Sequence, residues 1–171
     1  LRALARVINT HVSRVIRTGM ELNDHAKTWG KDLPKPHSDP YFYCFQAMVS
    51  GACFDIWDSG CREPFEIIFD EHVVFGTRVE KWFPVFREIM RAKHPDEFSI
   101  LPDLPTFRSD DECMPIQAVD IFAYIYRASE ELKGANTGFE WMATELGSLR
   151  CSEYCRHFEL EDMRSIYADS Q

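Results

Sequence analysis

Residues 41–57 (YFYCFQAMVSGACFDIW) are apolar on nearly every side of a helical projection. Asp39-Pro40 just before them supplies an N-cap followed by proline at the first helical position, and Ser59-Gly60 stop the run. A helix of this kind is buried on most sides, so the chain must build layers around it. Its 171 residues suit a single domain able to bury roughly 70% of its unfolded surface. With 45% hydrophobic and 27% charged residues, disorder, collagen and coiled coil are excluded as overall classes. No run approaches the roughly 20 apolar residues that cross a membrane, so a membrane partner is not expected.

The remaining elements follow from periodicity. Residues 11–20 (HVSRVIRTGM) alternate loosely and read as a short strand. Asn23 or Asp24 is placed to cap a short helix through Trp29, and the three prolines of residues 30–40 make a loop. Residues 65–69 (FEIIF) read as a buried interior strand ending in Asp70-Glu71-His72. Residues 77–92 form an amphipathic helix with Val79, Trp82, Phe83, Phe86, Ile89 and Met90 on one side, and Pro84 marks a start or kink. Two prolines make residues 98–107 an edge strand or extended connection, with a polar turn at 108–112. Residues 114–132 (MPIQAVDIFAYIYRASEEL) are the strongest helix, closed by Gly134, and helices are expected at 139–149 and 159–167. The division is one domain over 1–171, with a core to residue 135 and a helical extension over 136–171. Helices alternating with few strands indicate an α/β, helix-rich layered architecture. Residues 1–8 read as a helix entered partway along. The natural chain is therefore expected to begin further upstream, where the missing strands would lie.

Two acidic features carry chemical information. Asp70-Glu71 stand at the end of an apolar strand, where open α/β sheets gather ligand sites. Carboxylates there are hard oxygen ligands suited to Mg²⁺ or Mn²⁺. Asp120 sits inside QAVDIFAYIY, among Ile116, Val119, Ile121, Phe122 and Ile125, with Gln117 and Tyr124 on its face. A charge on so apolar a helix is costly unless it is ligated or hydrogen-bonded, and a buried Asp pinned to a backbone amide or an arginine is the structural alternative. A strand-end Asp facing a helix-borne Asp can hold one or two divalent ions that clamp a phosphodiester. Glu71, Asp110 and Asp111 are candidates for the further carboxylates such a site needs.

Those residues give the chain a likeness. Residues 105–127 (PTFRSDDECMPIQAVDIFAYIYR) resemble the C-terminal signature of the domain-of-unknown-function 3800 family, whose Leu-Gln-x-Ala-Asp-Leu-like helix is matched by residues 116–121. Ile67-Ile68-Phe69-Asp70-Glu71 is similar to that family's strand ending in Asp-Glu. Pro40-Tyr41-Phe42 with Phe45-Gln46-Ala47 is similar to its Pro-Tyr-x-x-x-Phe-Gln helix. The resemblance covers residues 1–127 and implies a ribonuclease H-like fold, truncated at its N-terminus, with Asp70, Glu71 and Asp120 as metal-binding and catalytic residues. It departs from the family twice. The opening strand ending in Asp-Glu-Ser-Gly has no counterpart here, and Arg108 stands before Ser109 where many members have an acid.

The function expected on this basis is a metal-dependent phosphodiesterase or nuclease acting on nucleic acid or a nucleotide, with Mg²⁺ or Mn²⁺ as cofactor. A non-catalytic binding or scaffold domain of the same fold is the alternative. The net charge of −9 argues against broad non-specific nucleic-acid binding. However, the first 40 residues carry +3 and the other 131 carry −12, so Arg14, Arg17, Lys27, Lys31 and Lys35 could form a local phosphate track. Six cysteines without a C-x-x-C read as buried thiols of a reduced, cytoplasmic protein. Cys151 and Cys155, spaced i, i+4 beside His157, are a weaker zinc candidate. Cys113 precedes a helix without an evident base. His72 could shuttle a proton, or simply be a surface residue. P-loop, G-x-S-x-G, G-x-G-x-x-G and H-E-x-x-H signatures are absent from the sequence.

Overall fold

The computed structural model describes residues 8, 10–12, 14–20, 22–28, 34–131 and 152–158. In chain order these form β1 (Arg14–Met20), α1 (Leu22–Thr28), α2 (Pro40–Asp58), β2 (Ile68–Asp70), α3 (Val73–Lys93), α4 (Pro95–Phe98), β3 (Thr106–Arg108), α5 (Met114–Glu131) and β4 (Ser152–Phe158). The result is a mixed α/β chain. Strand β1 hydrogen-bonds with β4, and β2 pairs in parallel with β3. None of the described helices is long and apolar enough to cross a membrane.

The chain divides into two compact units, each assembled from separate stretches: residues 1–15, 66–76 and 105–152 in the first, and 16–65, 77–104 and 153–171 in the second. The second holds the aromatic core. Asp39 caps α2 by accepting a hydrogen bond from the Tyr41 N–H (3.1 Å), with Pro40 next, as the sequence indicates. Phe42, Tyr43, Phe45, Ala47, Val49 and Cys53 of α2 are buried. Helix α3 answers with Val79, Trp82, Phe83, Phe86 and Met90, an i, i+3, i+4 stripe. Phe42 and Phe45 each lie 5.8 Å from the Trp82 ring, and Phe45 meets Phe86 edge-on at 5.7 Å. Arg87 fastens the segment after α4, donating to the Leu101 carbonyl (3.1 Å) and to Asp103 (2.9 Å).

Several sequence expectations are corrected. Helix α3 begins at Val73 and continues through Pro84, so the proline is not its start. Pro84 lies on the exposed face, where water can satisfy the carbonyl it orphans. The buried Trp82, Phe83 and Phe86 on the opposite side offset its cost of about 3 kcal/mol. The strand expected at 65–69 is confined to 68–70 and is only partly buried. Phe65 donates to the Ile100 carbonyl in the turn after α4 (3.3 Å) rather than to a strand, so no ladder forms that early. Only β3 pairs with β2 among the described residues. Helix α4 occupies Pro95–Phe98, which shortens the extended connection, and Arg108 belongs to β3 rather than to the turn. Helix α1 starts at Leu22, so Asn23 and Asp24 lie within it. The helices expected at 139–149 and 159–167 fall outside the described residues.

Phe83 of α3 is fully buried and meets Phe45 of α2, ring to ring, at 6.4 Å. Phe83→Ala is expected to lower unfolding stability by about 3–5 kcal/mol in chemical denaturation. A loss under 1 kcal/mol would show that this contact does not hold the second unit together.

Candidate metal centre

The parallel pair β2–β3 builds the site. Its register sets Ile68 against Thr106, Phe69 against Phe107 and Asp70 against Arg108. Beyond the last pair, the Glu71 N–H donates to the Arg108 carbonyl (2.9 Å), so the carboxylate-bearing end of β2 is fastened one residue past the strand. Phe69 and Phe107 stack at 6.0 Å, and Gly76 lies 3.5 Å, measured from an ideal Cβ position, from the Phe107 ring. Helix α5 packs against β2.

The turn between β3 and α5 is fixed at both ends. Ser109 Oγ accepts from the Asp111 N–H (3.3 Å), and the Ser109 carbonyl accepts from Glu112 (3.1 Å). Gln117 on the first turns of α5 donates through Nε2 to the Asp110 carbonyl (2.7 Å). Gln117, which the sequence places on the Asp120 face, thus clamps the turn that carries Asp110. The Cys113 carbonyl accepts from Ile116 and Gln117, and its thiol is buried, which leaves it poorly placed for attack on a substrate.

Asp120 corrects the sequence reading in one respect. Helix α5 buries Cys113, Ile116 and Ala118, but Asp120 is exposed, as are Val119 at 63% and Tyr124 at 56%. The carboxylate is therefore not entombed. Its pKa is nevertheless raised, by partial desolvation first and then by the negative charges of Asp70 and Asp110. Asp70 and Asp110 are thus the acidic groups whose charges reach Asp120. No hydrogen bond or ion pair engages the Asp120 side chain among the described residues, so the structural alternative of a pinned Asp is not what the geometry shows.

Glu71 and Asp111 are exposed. His72 is exposed and serves α3: its Nδ1 accepts from the Phe75 N–H (3.4 Å), and its carbonyl from Gly76 (2.6 Å). This is an N-cap role that the position before an apolar helix start could have signalled. Burial raises the pKa of Cys44 and pushes that of Cys53 up to about 12, making both inert thiols. Cys155 lies on strand β4, and Cys151 is outside the described residues. Of the basic residues, Arg14 and Arg17 lie on β1, Lys27 in α1 and Lys35 in the following turn, while Lys31 is outside the described residues.

The donor set is all carboxylate, the chemistry that suits Mg²⁺ or Mn²⁺. Among the described residues no three His, Cys, Asp or Glu side chains converge tightly enough to chelate one ion. No protein-family model, curated protein or solved structure matches this chain. The likeness to the domain-of-unknown-function 3800 family therefore rests on the quoted residues.

The raised Asp120 pKa fixes a sign. A carboxylate whose folded pKa exceeds its unfolded value of about 3.9 gives stability below that value, which is lost as pH rises through the folded pKa. Asp120→Asn is therefore expected to be as stable as the wild type or slightly more so at pH 7, with the difference vanishing below about pH 4. A loss of about 1 kcal/mol or more at pH 7 in urea titrations would instead identify Asp120 as a structural acceptor.

Proposed function

We propose that this chain is a metal-dependent phosphodiesterase or nuclease of ribonuclease H-like fold, with Asp70, Glu71 and Asp120 as its catalytic and metal-binding residues. The observation that supports this reading is the placement of Asp70 at the carboxyl end of β2 and of Asp120 on the helix packed against β2. Neither carboxylate is in an ion pair among the described residues, although Arg108 is the register partner of Asp70. Parallel β2 and β3 with α5 alongside also suit that fold.

A bound Mg²⁺ or Mn²⁺ would supply Lewis-acid stabilisation of the phosphoryl oxygens. The chain's own residues do the rest. Asp70 and Asp120 would hold the ion from strand and helix, and Asp110 stands on the turn that Gln117 clamps. Glu71 starts from a backbone fixed to Arg108 and accepts a proton from, or orients, the attacking water. His72 accepts from the Phe75 N–H at the start of α3 and is given no role in this reading. The missing convergence of three ligands favours the second reading, a non-catalytic binding or scaffold domain of the same fold.

Calorimetric titration with Mn²⁺ separates the two. The enzyme reading expects saturable binding to the wild type, lost in Asp70→Asn and Asp120→Asn. It also expects wild-type stability to rise by about 2.7 kcal/mol at an ion concentration about 100 times Kd, with no rise in either variant. A wild type without saturable binding leaves the scaffold reading.

A further inference from the structure

The second unit brings two histidines to one aromatic ring. His25 of α1 lies 6.2 Å from the Tyr43 ring, centroid to centroid, and His37, in the turn before α2, lies 6.3 Å from it. His37 also meets Phe42 edge-on at 5.2 Å. Phe42 and Tyr43 are buried residues of α2, so the two imidazoles are contacts through which α1 and the turn reach that helix. Among the described residues, His25 is the one buried side chain that can take a positive charge, and it is only 4% exposed. His37 is half-buried.

Protonating either ring sets a cation where water is largely excluded, and the groups facing it answer weakly. Burial pushes the Tyr43 hydroxyl up to about 12, so it stays neutral and offers no counter-charge. Burial also raises the Cys44 thiol beside it, and from β1 Thr18 donates to the Cys44 carbonyl (3.2 Å), a contact without charge. Lys35, exposed in the same turn as His37, adds a like charge. Asp39 is the carboxylate whose charge reaches His25 and favours its protonation. Asp39 is already engaged twice, however: it caps α2 through the Tyr41 N–H (3.1 Å) and pairs with Arg78 (3.4 Å). Desolvation therefore outweighs it, and both histidines lie below their ordinary value of 6.5. A histidine lowered on folding gives stability that is present above its unfolded pKa and is lost as pH falls through the folded one. The loss falls first on α1 and the turn, because a seven-residue helix opens locally at less cost than the aromatic core.

We propose that His25, His37 and Tyr43 form an acid-sensitive latch: with both imidazoles neutral, α1 and the turn at residues 34–39 are docked on α2, and protonation releases them. The latch does not depend on the phosphodiesterase reading.

NMR of the full chain between about pH 7.5 and about pH 5 tests it, a range that stays above the ordinary carboxylate values of about 3.9–4.3. The Cε1–H resonances of His25 and His37 should titrate below 6.5. Over the same range, hydrogen-exchange protection factors of α1, Ser38 and Asp39 should fall about threefold or more, while those around Phe83 and Phe86 in α3 change less than about twofold. These wild-type measurements decide the matter by themselves. The double variant His25→Gln with His37→Gln adds a second check, because it keeps polar side chains that do not titrate and should no longer show the fall. Either histidine titrating at or above 6.5 overturns the latch, since the aromatic ring would then attract the imidazolium more than burial penalises it. Unchanged protection of α1 overturns it, as does an equal fall in α1 and α3, or a fall that persists in the folded double variant.

Discussion

The parallel register of β2 and β3 is the constraint on which the candidate site depends. Three residue pairs set it, and it ends by placing Asp70 opposite Arg108. A one-residue slip would exchange Asp70 for Phe69 or Glu71 at that position and send every side chain of the short strand to the other face. So short a ladder needs help from outside. Phe69 stacked on Phe107, the Thr106 N–H bonded to the Ile67 carbonyl (2.8 Å) and the Glu71 N–H bonded to Arg108 extend the pairing on either side. Parallel strands also require a long connection between them. Here that connection carries α3 and α4, and α3 starts within three residues of Asp70. The N-cap at His72 is therefore part of the same device: it turns the chain out of the strand directly after the two acids.

Much of this was legible in the sequence, and the failures have physical causes. Helix α2 was readable because cap, proline and apolar run agree, and no competing pattern exists there. Helix α5 was readable in extent but not in exposure. Residues 116–126 look apolar all round, yet Val119 and Tyr124 face outward, because apolar composition does not say how many partners a helix will find. Strand β2 was found three residues too early. Phe65, Ile67 and Phe69 have strand-forming side chains, but a strand needs a neighbour to bond with, and the chain opposite Phe65 is the turn at Ile100. Pro84 misled for a related reason: local propensity argued for a break, whereas α3 is held by tertiary burial of the residues beside the proline.

For the site, Asp70, Glu71 and Asp120 were candidates from spacing alone, and their residue types follow from being oxygen donors at a strand end and on a helix. The nearness of Asp110 was weaker in the sequence, because nothing local shows that Gln117 will reach back seven positions to fasten the turn. The register opposite Asp70 was not legible at all. Strand pairing across 38 positions is decided by which residues close the ladder, so Arg108 read only as an oddity before Ser109.

The charge of Asp120 is disfavoured in the fold by partial desolvation and by the charges of Asp70 and Asp110, and no hydrogen bond or ion pair of α5 uses its carboxylate among the described residues. Helix α5 is anchored through Ile116 and Ala118, and the turn before it through Gln117 and Ser109. An asparagine or alanine at position 120 would leave all of those contacts in place and remove the repulsion. The energetic argument therefore runs opposite to that for a structural buried charge, which is retained because its partner would suffer without it. Asp120 has no such partner among the described residues, so the fold gains nothing from its charge. A charge that the described contacts of the fold do not use, on a helix packed against a strand that ends in another, is the arrangement on which the proposed cation site rests.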